Sequence, residues 1–156
     1  MTDAGPIHAF LAGRGRDGRG RGAADILDFD DAALERYHDY IQWLFPLPTA
    51  SAAVPGSPVL SPAEIAAIRG DAEALATLRA AAARLRRFYA DNDDWLVARD
   101  HNHLRISRII ASLRLLVGYD EARAFHEAAE ARVQASGGRV NADSRRYWRA
   151  ALGEPG

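Results

Sequence analysis

The sequence predicts an all-α fold, a single-domain irregular orthogonal bundle of five or six helices with one long proline-rich extended segment. Three observations predict it. All 20 basic residues are arginine and 32 of the 156 residues are alanine, and both are strong helix formers. Apolar residues recur at spacings of three and four along successive stretches of the chain. No run alternates with the period of two that a half-buried strand needs.

Taken in chain order, Pro6 to Ala12 is one short helical turn, and the glycine- and arginine-rich run 13–22 is a loop. Asp30 or Asp31 caps a helix from about 31 to 44, with Leu34, Tyr37, Ile41 and Leu44 on its apolar stripe. Prolines 46, 48, 55, 58 and 62 exclude regular helix from Phe45 to Ser61, leaving an extended segment anchored by Val54, Val59 and Leu60. Ser61-Pro62-Ala63-Glu64 is a capping box that opens a short helix ending near Gly70. Asp71 caps a longer helix carrying Leu75, Leu78, Ala82, Leu85 and Tyr89, which Asn92 stops, and Trp95 sits in the turn beyond.

From about His101 to Val117, Ile106, Ile109, Ile110, Leu113, Leu116 and Val117 fill one wide face, and Leu104, Ala111 and Leu115 form a second stripe. A helix apolar on two sides is expected to be central. Gly118 ends it. Tyr119 to Ala135 follows, with Ala122, Phe125, Ala129 and Val133 inward, closed by Gly137-Gly138, and Asn141 caps a last helix bearing Tyr147 and Trp148. The whole of 1–156 is expected to form one domain.

Composition narrows the function classes. A net charge of −1 speaks against a surface that holds nucleic acid by neutralising phosphates. The absence of cysteine removes thiolate catalysis and cysteine-based zinc sites. No apolar run reaches about 18 residues, so membrane insertion is not expected and a cytoplasmic protein is.

Several residues could carry chemistry. Arg108 lies in the second stripe of the central helix, where a permanently charged guanidinium needs an anion. That anion is either internal, Asp39 for example, or a carboxylate or phosphate on a ligand. Asn102, Arg105 and Arg108 at three-residue spacing are expected to line a polar groove. On the first long helix His38 and Gln42 flank the apolar stripe, while Asp39 and Trp43 face nearly the opposite way. Adjacent helical residues diverge by about 100°, so His38 and Asp39 form no dyad, and His38 is expected to be a satisfied, partly buried histidine. His101 and His103 are two apart, not at the four-residue spacing that presents two imidazoles to one zinc. His126, on the inner edge of its helix, is read as a core histidine rather than a haem ligand. In the glycine-rich loop, Arg19 and Arg21 are a weaker anion or nucleic-acid candidate, and Asp17-Gly18-Arg19 also reads as a tight turn pinned to the core.

The run Leu34-Glu35-Arg36-Tyr37-His38-Asp39-Tyr40-Ile41-Gln42-Trp43-Leu44-Phe45-Pro46-Leu47 resembles the signature of the opioid growth factor receptor conserved domain. The resemblance extends to 17–21, Ser51, Pro58-Val59-Leu60 and 102–109, roughly Phe10 to Phe125. The chain departs from it at Ala53-Val54-Pro55-Gly56, where an Asn-Pro pair is more usual, and lacks the long repeat-bearing tail of animal receptors. The resemblance implies a relative of a receptor for a short enkephalin-type peptide, in a compact microbial form. The expected function is therefore a non-enzymatic binding module for a small anionic ligand or short peptide, held by His38, Asp39, Gln42, Trp43, Asn102, Arg105 and Arg108 between the first long helix and the central one. Two alternatives stand beside it: a metal- or haem-dependent protein using His38 or His103, and a structural or homodimerising module without a ligand. No cofactor is required by the first reading.

Overall fold

The computed structural model describes residues 2–153 and is all-α, with nine helices and no strand among those residues. Five of the helices have seven or more residues, matching the expected number, and four shorter ones bring the total above it. The chain divides into two compact units, one ending at Ala81 and the other beginning at Ala82. No described helix is long and apolar enough to cross a membrane.

The first unit holds α1 (Pro6–Leu11), α2 (Ala23–Leu27), α3 (Asp31–Arg36), α4 (Ile41–Leu44), α5 (Pro62–Arg69) and the start of α6 (Ala72–Asp91). Helix α1 packs against α4 and α5, burying Ile7, Phe10 and Leu11 completely. Its N-terminus is closed by a carboxylate from elsewhere in the sequence. Glu64, only 3% exposed, accepts hydrogen bonds at Oε2 from the backbone N–H of Ile7 (2.9 Å) and His8 (3.0 Å). Its other oxygen completes the Ser61 capping box of α5. One buried side chain thus satisfies orphan donors of two helices. Asp71 plays a matching part. Its Oδ1 caps α6 at Glu73 and Ala74, and Oδ2 accepts from His8 Nε2 at 2.8 Å. His8 Nδ1 accepts from the Ala4 N–H, which assigns the ring proton to Nε2.

The expected helix over 31–44 is broken. Asp30 caps α3 as anticipated, but Tyr37 leaves the helical region (φ −83°, ψ 138°), and α4 begins only at Ile41. Tertiary contacts outweigh the periodicity here. The Tyr37 ring packs on Phe29 at 5.4 Å, and the buried Tyr40 hydroxyl donates to the Leu34 carbonyl at 2.6 Å, taking up an oxygen left open at the end of α3. Tyr, His and Asp are also weak helix formers. The break exposes His38, contrary to its expected burial. The extended segment runs as read, but Val59 is 44% exposed and does not anchor it, whereas Leu60 is buried and its N–H donates to the Leu47 carbonyl. Helix α2 was not anticipated. It is opened by Asp25, whose carboxylate accepts from the Gly22 N–H.

In the second unit α7 (Asn102–Leu116) packs against both α8 (Tyr119–Ala135) and α9 (Ala142–Leu152). Ile106, Ile109, Ile110, Leu113 and Leu116 are buried as expected, but Leu104 is 68% exposed, so the second stripe is no core face. Gly118 breaks the chain at φ 140°. Trp95 and Trp148 fill the unit's interior, with indole N–H groups donating to the carbonyls of Tyr89, Asn92 and His103. Asn141 caps α9 through Ser144.

Two predictions follow from the carboxylates of the first unit. A methyl group at Gly5 would stand 2.5 Å from Glu64 Cδ, so Gly5→Ala should lower unfolding free energy by about 1–3 kcal/mol in urea titrations, with Gly18→Ala, which meets nothing within 4 Å, changing it little. The His8 hydrogen bond foremost, then the Ala74 N–H, Arg14 and the Glu73 N–H, hold the Asp71 carboxyl down to about 2 against the opposing effect of burial, below an unfolded value of about 3.9. The stability Asp71 contributes is therefore present above about pH 4 and lost as pH falls toward 2. Asp71→Asn, which keeps a capping oxygen, should show a shallower loss of thermal midpoint across that window.

Candidate functional site

The site is built from the first unit's loop over 13–22. Asp17 is buried and serves as the loop's internal anchor. Its Oδ1 accepts from the backbone N–H of Arg19 and of Arg21, each at 2.9 Å, and its Oδ2 from Arg21 Nε at 2.7 Å. Backbone bonds from Asp17 N to Arg21 O and from Gly20 N to Asp17 O close the turn, with Gly20 at φ 79°. The tight-turn reading of Asp17-Gly18-Arg19 is thus what the structure shows.

From this anchor a chain of alternating charges runs outward. Arg21 Nη2 donates to Asp39 Oδ1 at 3.0 Å, and Arg19 Nη1 donates to Asp39 Oδ2 at 3.3 Å. Burial alone would raise the Asp39 carboxyl, but the bonds and charge of Arg21, then those of Arg19, pull it below the ordinary aspartate value. Burial likewise works against the Arg21 charge, and its bonds to Asp17 and Asp39 more than restore it. Both guanidinium groups lie over the Tyr37 ring, Arg19 at 5.5 Å and Arg21 at 5.8 Å from its centroid, a favourable cation–π placement. Exposure rises along the chain: the Asp17 side chain is fully buried, Arg21 is 15% exposed, Asp39 31% and Arg19 58%. Both Asp39 oxygens are thus bonded to arginines of its own unit.

These residues form one side of a cleft of about 270 Å³, lined by Gly18, Arg19, Arg21, Asp39 and Trp43 and, across from them in sequence, by 54–58. Trp43 is half-buried and meets Phe10 edge-on at 5.4 Å. The 54–58 stretch is a turn: Pro55 precedes Gly56 at φ 83°, and the Ser57 N–H donates to the Val54 carbonyl at 3.2 Å, the pattern of a type II turn. The Ser57 hydroxyl donates to the same carbonyl. Sequence reading did not connect this turn to the site, although Pro-Gly followed by Ser was the available signal.

The other expected site residues are placed as follows. Gln42 is buried, with its Oε1 making no hydrogen bond among the described residues. Asn102, Arg105 and Arg108 belong to the second unit. Asn102 is buried; its Oδ1 accepts from the Tyr89 hydroxyl, and its Nδ2 donates to Asp100. Arg105 is buried and Arg108 half-buried, and burial pushes the Arg108 guanidinium down to about 10, which leaves it charged at neutral pH. His103 is buried and its Nε2 donates to the Trp95 carbonyl at 2.8 Å. His126 is buried with Nε2 at 3.7 Å from Glu130. Among the described residues, no three His, Asp or Glu side chains stand together as a metal ion would require.

Residues 26–94 match the family model of the opioid growth factor receptor (OGFr) conserved region. The match is narrower than Phe10 to Phe125. It includes Asp39, Trp43 and the 54–58 turn, and leaves Gly18, Arg19, Arg21 and α7 outside. No curated protein and no solved structure matches the chain.

The graded burial of the charge chain predicts graded costs. Asp17→Ala leaves the part-buried Arg21 Nε–H and two backbone N–H groups without their acceptor and should cost roughly 2–4 kcal/mol in denaturant titrations. Arg19→Ala, at the exposed end, should cost under about 1 kcal/mol.

Proposed function

We propose that this chain, which carries an OGFr conserved region at residues 26–94, is a binding module that takes a short peptide or small anionic molecule into the cleft of its first unit. The observation that carries the reading is the shared wall of that cleft: a largely exposed arginine and a half-buried tryptophan open onto one cavity. Arg19 makes one side-chain hydrogen bond among the described residues, to Asp39, so the rest of its donor fork is available to an anion. Trp43, Val54, Pro55 and Pro58 supply apolar surface beside it. Such a mixture of apolar wall and few polar groups is what small-ligand sites use, and about 270 Å³ is slightly below their usual range of roughly 300–1,000 Å³.

The chemistry of the lining supports binding over catalysis. Asp39 is the one carboxylate in the cleft wall, and a carboxylate held low by two arginines is a poor proton acceptor near neutral pH.

Trp43 reports on the cleft directly, because Trp95 and Trp148 are buried. Titration with short peptides bearing acidic or free-carboxylate ends should give a saturable change in tryptophan emission. Trp43→Leu should abolish that change and weaken binding about tenfold, the equivalent of roughly 1.4 kcal/mol. A flat emission response together with no heat of binding for every peptide would overturn the reading.

A further inference from the structure

The geometry points to a more definite occupant for this cleft: the free carboxy terminus of a peptide whose last side chain is apolar. The inference rests on the proposed function and deepens it. It starts from the order of charges. Asp17, Arg21, Asp39 and Arg19 alternate in sign along one connected chain of hydrogen bonds. The inner end is closed, since Asp17 is buried and takes three donors from the loop. The outer end is open, since Arg19 is a cation whose one anionic contact is the longer, 3.3 Å bond to Asp39. The position next in the alternation is negative, and Arg19, which would meet it, lines the cleft.

A carboxylate suits that position better than a compact point charge would, because a guanidinium presents two parallel N–H groups that match two carboxylate oxygens. The four members of the chain balance one another before anything binds: Asp17 and Asp39 offset Arg21 and Arg19. A dianionic phosphate would leave the cleft with excess negative charge against Asp39, whereas one carboxylate leaves a single unit. The apolar wall fixes what is attached to the carboxylate. Trp43, Val54, Pro55 and Pro58 line the same cavity as Arg19, and burying an apolar group against them is favourable by about 25 cal/mol per Å². At a peptide's carboxy terminus a carboxylate and a side chain leave the same carbon, so both walls are engaged by one residue. The preceding peptide bonds then leave through the mouth, as the cavity of about 270 Å³ holds little more than a terminal residue.

Four probes test this on the full chain, followed by Trp43 emission: N-acetyl-alanyl-phenylalanine with a free carboxylate, its carboxamide, its free-carboxylate analogue ending in glycine, and 3-phenylpropionate. The free phenylalanine acid should bind at least about tenfold more tightly than the amide, and the glycine acid should bind more weakly than the phenylalanine acid. In Arg19→Gln the acid and amide should bind alike, with an unchanged thermal midpoint showing that the fold persists. Arg16→Gln, in the same loop but outside the cleft lining, should keep the wild-type preference. Equal binding of acid and amide to the wild type, with affinity retained, overturns the carboxylate assignment and leaves the cleft a peptide site. Phenylpropionate binding as tightly as the dipeptide acid overturns the peptide terminus as the source. Failure of all four probes to bind overturns this inference, and the broader function falls only if the acidic peptides fail too.

Discussion

A carboxylate taken out of water must be met by donors, and this constraint organises the first unit. Glu64 and Asp17 are both buried acids, and both are satisfied mainly by backbone N–H groups from other parts of the chain or from a turn. Each therefore fixes main chain, not merely a side-chain partner. Glu64 ties the start of α1 to the start of α5. Asp17 turns an otherwise shapeless glycine-rich stretch into a fixed platform that aims Arg21 at Asp39. Were either acid lost, the N–H groups it receives would have to find water, and the segments they belong to would move with them.

The position of the candidate site follows from a second competition, between helix periodicity and aromatic packing. Had 31–44 stayed helical, Asp39 and Tyr37 would be locked to a cylinder. The release of Tyr37 into extended backbone lets its ring lie beneath two arginines and sets Asp39 between them. The local helical bonds given up are replaced in part by the Tyr40 hydroxyl on the Leu34 carbonyl, so the break carries little unsatisfied polarity.

Which parts were legible in the sequence depends on the range of the interactions that decide them. The caps at Asp30, Ser61, Asp71 and Asn141 are chosen by residues three positions apart, and each was readable. So were α7 and α8, whose stripes are long enough for burial to follow the period. The break at Tyr37 was not, because Phe29, Arg19 and Arg21 decide it from eight to eighteen residues away. The same holds for the site. Asp39 and Trp43 could be singled out as polar and aromatic members of an unusual run, and Arg19 and Arg21 as cations in a loop. That they share a wall with 54–58 depends on long-range folding that no local spacing encodes. Leu104 illustrates the converse: its stripe is periodic, yet the side chain is exposed, since a pattern states what could be buried and not whether a neighbour arrives.

The turn over 54–57 is stiff. Proline fixes the backbone at its first corner, a left-handed glycine the second, and two hydrogen bonds from Ser57 hold the closing residue. A wall so constrained has little conformational freedom left to surrender when something settles against it, so the entropic cost of association falls mostly on the incoming molecule. For the proposed binding role, selectivity would then lie in shape fit at the moment of encounter, favouring a stiff, short occupant over a long and flexible one.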